Sequence, residues 1–368
     1  MEVIDIFKEI LKFKSITPND DGALNYITMF LNEFDLKFVE KDGVKNIFLI
    51  KKFGKGPHLC FAGHIDVVLP GQNWESNPFL PIENGGRIVA RGAQDMKSAI
   101  AAMMCALKDV KNFNGILSLL ITSDEEGDAK YGTKLMLENL SNENLLPDFA
   151  IIGEPTCENL MGDTIKIARR GSINGILRIK GVQGHVAYPQ KCTNPVHQLA
   201  TKFSEFAGKN LDNGSELFEP SKIVITDIRG GIEVCNVTPN DVKIMFNVRN
   251  SDLTNENDVR EYVQNLFKDF EISLELKTSS APFYTDKNSK IVENLSKSVE
   301  KICKIKPNLS SSGGTSDAKF FAQYGVKVAE FGVKNDQIHA VNESVSIDEV
   351  IRLYSVYRDL IESFGGSF

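Results

Sequence analysis

Residues 115–126 read GILSLLITSDEE: a glycine, a nearly unbroken apolar run, then three consecutive acids. A short apolar run that starts at a turn residue has the form of a strand buried on both faces, as in the middle of a parallel sheet. Carboxylates do not follow such a strand into the core, so Glu125 and Glu126 mark the edge of the sheet. The same pattern recurs at 58–66, HLCFAGHID, which ends on His64 and Asp66, and at 148–154, DFAIIGE, which ends on Glu154. Three strands that each leave a metal-capable side chain at their end predict an α/β layer, with ligands collected at the carboxyl edge of a mostly parallel sheet.

Outward from these strands, helical spacing predicts helices over 2–14, near 21–34, from Met96 to about Lys111 and near 131–140, and KNIFLIKKF reads as another strand. From Ser172 the pattern changes. Strand INGILRIKG, a helix near 194–207, strands SKIVITDIRG and DVKIMFNVR, a helix near 255–268 and strand EISLELKT follow in the β-α-β-β-α-β order of a ferredoxin-like unit. Beyond residue 285 the α/β character returns, with helices near 287–304 and 316–323, strand VKVAEFG and a final helix from about 347. The expected architecture is a discontinuous catalytic domain, 1–171 plus 285–368, whose mostly parallel mixed sheet is flanked by helices, interrupted by a smaller domain over 172–284.

A chain of 368 residues, 42% hydrophobic and 25% charged, can bury a large core. Its net charge of −7 lacks the basic footprint of a nucleic-acid or anionic-membrane binder, which favours a small-molecule substrate. The opening MEVIDIFKEILKFKS intersperses charges among apolar residues, unlike an export signal. SAIAAMMCAL is about half of the roughly 20 residues that span a bilayer and reads as a buried helix. Six cysteines without a CxxC pair fit free thiols in a reducing compartment, hence a cytoplasmic protein. Any metal must then be held by imidazole and carboxylate, a donor set suited to zinc, manganese or cobalt.

Those donors are present in number. Two cations about 3.5–4 Å apart need a ligand that touches both, and Asp95, in RGAQDMK, is the candidate bridge. His64 and Glu154 would complete one shell; Glu126 and His339, in NDQIHAVNE, the other. Asp66, two residues beyond His64 on an extended chain, points to the same side and is placed to orient the imidazole. Glu125, beside a ligand, is the spare carboxylate and hence the general base. Each motif alone has a plainer explanation: Asp95 as a helix N-cap, Glu154 as a turn residue, His339 as a surface histidine. Their concurrence at strand ends and loops favours a two-metal hydrolytic site. His58 and His197 read as structural, Trp74 as a packing anchor for the loop after His64, and SSGGTSD lacks the ending of a phosphate loop.

In order, FAGHIDVVLPG, RGAQDMKSAIAA, ITSDEEG, IIGEPT, GHVAYP and IHAVNE resemble the aminoacylase/carboxypeptidase family of co-catalytic zinc hydrolases across essentially the whole chain. The resemblance implies two Zn2+ per subunit, with Co2+ or Mn2+ as substitutes, and a bipartite fold whose inserted domain is a lid that often makes a homodimer. ARRGS, NVTPND, FNVRNSDLT and SSGGTSDAKFF narrow it to members acting on a doubly carboxylated substrate with an amide linkage. On that resemblance Arg170, Arg249, Thr315 and Asn335 hold substrate carboxylates and amides, with Tyr188 nearby. His185 and Asn236 reach the neighbouring subunit's site, where His185 stabilises the oxyanion. Ala318 and Ala340 depart from the glycine and lysine expected there and bear on the substrate, not on the metals. An N-acetylornithine deacetylase or aminoacylase, or a non-catalytic metal-binding assembly protein, are the alternatives.

Overall fold

The computed structural model describes residues 2–365 and places the strand Ile116–Thr122 inside an eight-stranded sheet. Its neighbours are Val44–Lys52, antiparallel, and His58–His64, parallel. From His58–His64 the sheet continues through Phe149–Ile152 and Lys327–Glu330, all parallel, and then through Thr164–Lys166 and Asn308–Ser310. Asp35–Lys41 forms the opposite edge as a hairpin partner of Val44–Lys52. All seven residues of His58–His64 are buried, as an apolar strand covered on both faces requires.

Helices cover this sheet. Ser98–Lys108 is buried along nearly its whole length and packs on the final helix, Ile347–Gly365, and on Val3–Leu11. Its alanines and methionines (Ala99, Ala101, Ala102, Met103, Met104) show no polar stripe because no face of it meets water. A further three-stranded sheet of Ile82–Asn84, Arg87–Val89 and Ser344–Ser346 was not foreshadowed by the sequence. It joins the segment before Asp95 to the segment after His339.

The chain divides into two units. The first comprises Met1–Ile167, Tyr284–Ser310 and Ser316–Phe368; the second comprises Ala168–Phe283 and Ser311–Thr315. In the second, strands Ser172–Lys180, Lys222–Gly230, Asp241–Arg249 and Ile272–Ser280 form an antiparallel sheet in the spatial order Lys222–Gly230, Asp241–Arg249, Ser172–Lys180, Ile272–Ser280. Helices Pro195–Phe206 and Glu256–Leu266 supply Leu199, Phe206, Val259 and Val263 to a core shared with Ile223, Phe246 and Phe267. Burial alternates residue by residue along Asp241–Arg249, the signature of a sheet with one covered face. Ser311–Thr315 belongs to this unit, where Nη1 of Arg169 donates to the carbonyl oxygens of Ser312 and Gly314, each at 3.1 Å.

Candidate metal centre

The parallel strands deliver their side chains to one edge of the sheet in the first unit. His64 is the last residue of its strand and is in register with Thr122, so the turn carrying Glu125 and Glu126 emerges beside it. Glu154 follows Ile152, the end of the adjacent parallel strand. Asp95 lies in the turn that enters Ser98–Lys108, with φ −115° and ψ 97°. Lys97, not Asp95, occupies the N-cap position of this helix, without a capping bond from its side chain. His339 sits beyond Lys327–Glu330 with φ 60°, a left-handed backbone that costs a non-glycine residue roughly 1–2 kcal/mol.

The central observation concerns the two oxygens of Asp95. Oδ1 lies 3.2 Å from Nε2 of His64, and Oδ2 lies 3.4 Å from Nε2 of His339. Nε2 of His339 is also 2.8 Å from Oε1 of Glu126, while Oε1 of Glu154 is 3.9 Å from Nε2 of His64. Ligand atoms of His64, Asp95 and Glu126 all lie within 4.8 Å of one another. Oε1 of Glu154 is buried and, among the described residues, has no hydrogen-bond partner. An unsatisfied buried carboxylate oxygen is costly, and a cation beside it would remove that cost. With two imidazoles and three carboxylates as donors, the residues fit a pair of divalent zinc, cobalt or manganese ions.

Electrostatics follow from crowding acids in a dry place. Burial pushes Glu125 up to about 8; the positive charge of His64 opposes this, and the carboxylates of Asp317, Asp95 and Glu126 add to it. Burial likewise drives Glu154 well above the usual carboxylate range, with Asp95 and Glu125 adding to the effect. Asp95 is different: although buried, its hydrogen bonds to His339 and His64 hold it well below that range. Reciprocally, the hydrogen bonds to Asp95 and Glu126 raise His339 to about 10. Burial opposes protonation of His64, yet Asp95, Glu125 and Asp66 hold it well above its ordinary value.

Asp66 acts differently from expectation. Nδ1 of His64 is 2.9 Å from the Asp66 carbonyl oxygen and 3.7 Å from its carboxylate. That carboxylate instead accepts the backbone N–H groups of Glu125 and Glu126, at 3.3 and 3.1 Å. Among residues the sequence left aside, His58 is buried against the Ser118 hydroxyl at 2.7 Å and His197 is exposed on its helix. Trp74 anchors its loop by donating Nε1 to the Pro70 carbonyl at 2.6 Å. Asp317, a buried carboxylate acting on Glu125, and Glu343, which grips the Asp95 turn, escaped notice. Their only signal was an acid inside each of SSGGTSD and IHAVNE.

Asn335, in the first unit, donates its backbone N–H to the Cys157 carbonyl at 3.0 Å. Arg170, His185, Tyr188, Asn236, Arg249 and Thr315 belong to the second unit. There His185 and Asn236 lie on neighbouring segments, with the Val186 N–H donating to the Asn236 carbonyl at 3.1 Å. Both are exposed, as is Tyr188, whose ring centroid is 6.0 Å from that of His185. Nη1 of Arg170 is 3.0 Å from Glu219, and its buried Nε has no partner among the described residues. No helix among the described residues is long and apolar enough to cross a membrane.

The chain is similar in sequence and in fold to known proteins. The model of peptidase family M20/M25/M40 matches residues 60–363. Succinyl-diaminopimelate desuccinylase of Nautilia profundicola is 54% identical over 364 residues, covering 99% of this chain and all of the relative. Among solved structures, aminopeptidase PepT from Bacillus cereus aligns with a TM-score of 0.82 at 21% identity over 98% of each chain. The Bacillus subtilis YXEP protein, a dinuclear metal-binding peptidase of the M20 family, aligns with a TM-score of 0.73 at 14% identity, over 99% of this chain and 98% of that one.

Proposed function

The chain belongs to peptidase family M20/M25/M40, and from that premise we propose that it is a metal-dependent amide hydrolase that cleaves N-succinyl-LL-2,6-diaminopimelate to succinate and LL-2,6-diaminopimelate. This is a step toward lysine and cell-wall precursors. The observation that carries the chemistry is Asp95, whose two oxygens face two different imidazoles. The substrate rests on similarity to the desuccinylase over the whole chain.

In this reading His64, Glu154 and Asp95 would hold one divalent ion, Zn2+ by preference, and Glu126, His339 and Asp95 would hold the other. When bound, the ions supply Lewis acidity to the amide carbonyl and lower the pKa of water. Glu125, next to the ligand Glu126, accepts the water proton and returns it to the departing amine. Asp66 keeps Glu125 and Glu126 at the sheet edge through their backbone N–H groups. Arg170 and Arg249 bind substrate carboxylates, where a guanidinium offers paired donors. Tyr188, Thr315 and Asn335 line the substrate, and His185 donates to the oxyanion.

The second unit serves as a lid and homodimerises, so that His185 and Asn236 act in the partner's site. Sedimentation showing only monomer in the active enzyme would undo that cross-subunit role. A cytoplasmic setting goes with six unpaired cysteines and a small metabolite as substrate.

The test is amine release from N-succinyl-diaminopimelate and N-acetylornithine in parallel, by metal-stripped and zinc-reconstituted protein. Succinyl preference that is lost on stripping and restored by zinc supports the reading. Acetyl preference would move the chain to a sister deacylase, and no release from either substrate would overturn the proposed activity.

A further inference from the structure

Glu343 is fully buried and touches no ligand side chain through its hydrogen bonds, yet it grips the backbone on which the bridging ligand stands. Its Oε1 accepts the N–H groups of Gln94 at 2.7 Å and Asp95 at 3.1 Å. Its Oε2 accepts the Gly92 N–H at 2.9 Å and Nη1 of Arg91 at 2.7 Å. Arg91, also buried, turns Nη2 to the carbonyl oxygens of Pro70 and His339, each at 3.2 Å, and its guanidinium lies 5.2 Å from the Trp74 ring. One ion pair therefore fastens the backbone of Asp95 on one side and that of His339 on the other.

The surrounding contacts run the same way. Ser344–Ser346 pairs with Arg87–Val89, and the Ala90 N–H donates to the Glu343 carbonyl at 3.0 Å. The Gln94 side chain donates to Asp336 at 2.6 Å and accepts the Gln337 N–H at 2.8 Å. A buried ion pair is a poor way to gain stability alone, since well-packed apolar residues of similar volume are often as good. Apolar residues cannot, however, hold the N–H groups of Gly92, Gln94 and Asp95 and a distant carbonyl in fixed directions. His339 also needs restraint in its left-handed conformation, and the Arg91 bond to its carbonyl supplies it.

We propose that Glu343 and Arg91 are positioning residues that set the separation of Asp95 and His339 before any cation binds. The inference rests on the metal reading of the site. Ligand-supporting contacts of this kind commonly govern metal affinity by about 10–100-fold, and here the support acts through backbone rather than through a ligand's side chain.

The test is titration of metal-stripped protein with Co2+, followed by visible absorbance and calorimetry, with thermal unfolding of the metal-free form alongside. Glu343→Gln keeps the volume but turns one acceptor into a donor facing other donors. It is expected to retain a cooperative metal-free transition and to bind Co2+ about 10–100-fold more weakly. Arg91→Lys, which preserves the charge opposite Glu343 but cannot span both carbonyls, is expected to fall between it and wild type. Leu295→Ala, a buried change in the helix Lys290–Cys303, serves as the stability control and keeps wild-type affinity. Wild-type affinity in Glu343→Gln, or an equal loss in Leu295→Ala, would overturn the inference. Should Glu343→Gln fail to fold, Arg91→Lys decides, and unchanged affinity there overturns it. Wild-type protein that binds no Co2+ would overturn the metal reading, and this inference with it.

Discussion

The backbone of Asp66, not its side chain, holds His64: Nδ1 is 2.9 Å from the Asp66 carbonyl oxygen and 3.7 Å from the carboxylate. Donation to that carbonyl places the proton on Nδ1 and leaves Nε2 to face Asp95. Because the carboxylate is taken up by the N–H groups of Glu125 and Glu126, one residue aligns a ligand on one strand end and the base on the next.

Glu125→Gln is therefore expected to leave metal binding intact while kcat falls about 10²–10⁴-fold, the usual worth of a positioned acid–base group. Steady-state kinetics together with metal analysis check this. Turnover close to wild type would take Glu125 out of its role.

Asp95 and His339 separate by stoichiometry. Asp95→Ala removes the oxygens facing both imidazoles and should abolish tight binding of both cations, whereas His339→Ala should retain one. Bound metal per chain after dialysis, measured by plasma mass spectrometry, distinguishes the two. One tight cation left in Asp95→Ala would end the bridging assignment.

Metal uptake should be proton-linked, with a definite sign. The hydrogen bonds to Asp95 and Glu126 raise His339 to about 10, so the metal-free protein carries a proton on this ligand at neutral pH, and His64 and Glu154 are shifted in the same direction. Asp95 is already ionised and contributes none. Cations displace those protons, so apparent affinity must rise as pH increases from 6 toward about 10. Calorimetry in two buffers of different ionisation enthalpy should register net proton release at pH 7, and a flat affinity profile would contradict these raised values.

Gly153 is where the strand before Glu154 passes the helix Ser98–Lys108. An added Cβ would stand 2.6 Å from each of the Ala99 Cβ, Met103 Cε and Met96 Cε atoms. Overpacking of this kind typically costs about 1–3 kcal/mol, so Gly153→Ala should lower the urea midpoint by a corresponding amount. An unchanged midpoint would show that the helix moves away freely.

Much of this fold was legible because its signals are local. The strands at 58–64, 116–122 and 149–152 are apolar runs with polar ends, and the β-α-β-β-α-β order of the second unit shows in alternating patterns of ordinary length. Asp35–Lys41 escaped because an edge strand with mostly exposed residues carries no clear alternation. Ile82–Asn84, Arg87–Val89 and Ser344–Ser346 escaped because three residues are too few to show a period.

The chain alone determined which residue types end each strand, and hence that His64, Glu125, Glu126 and Glu154 share one edge of a sheet. Only the tertiary structure decided which oxygen of Asp95 meets which imidazole, that Asp66 serves the Glu125 turn with its carboxylate, and that Glu343 ties the Asp95 turn to the His339 segment. Strand ends are set by hydrophobic burial, which a short window of sequence records. Those pairings are set by strand register and by hydrogen-bond directions between segments far apart in the chain, which no local pattern encodes.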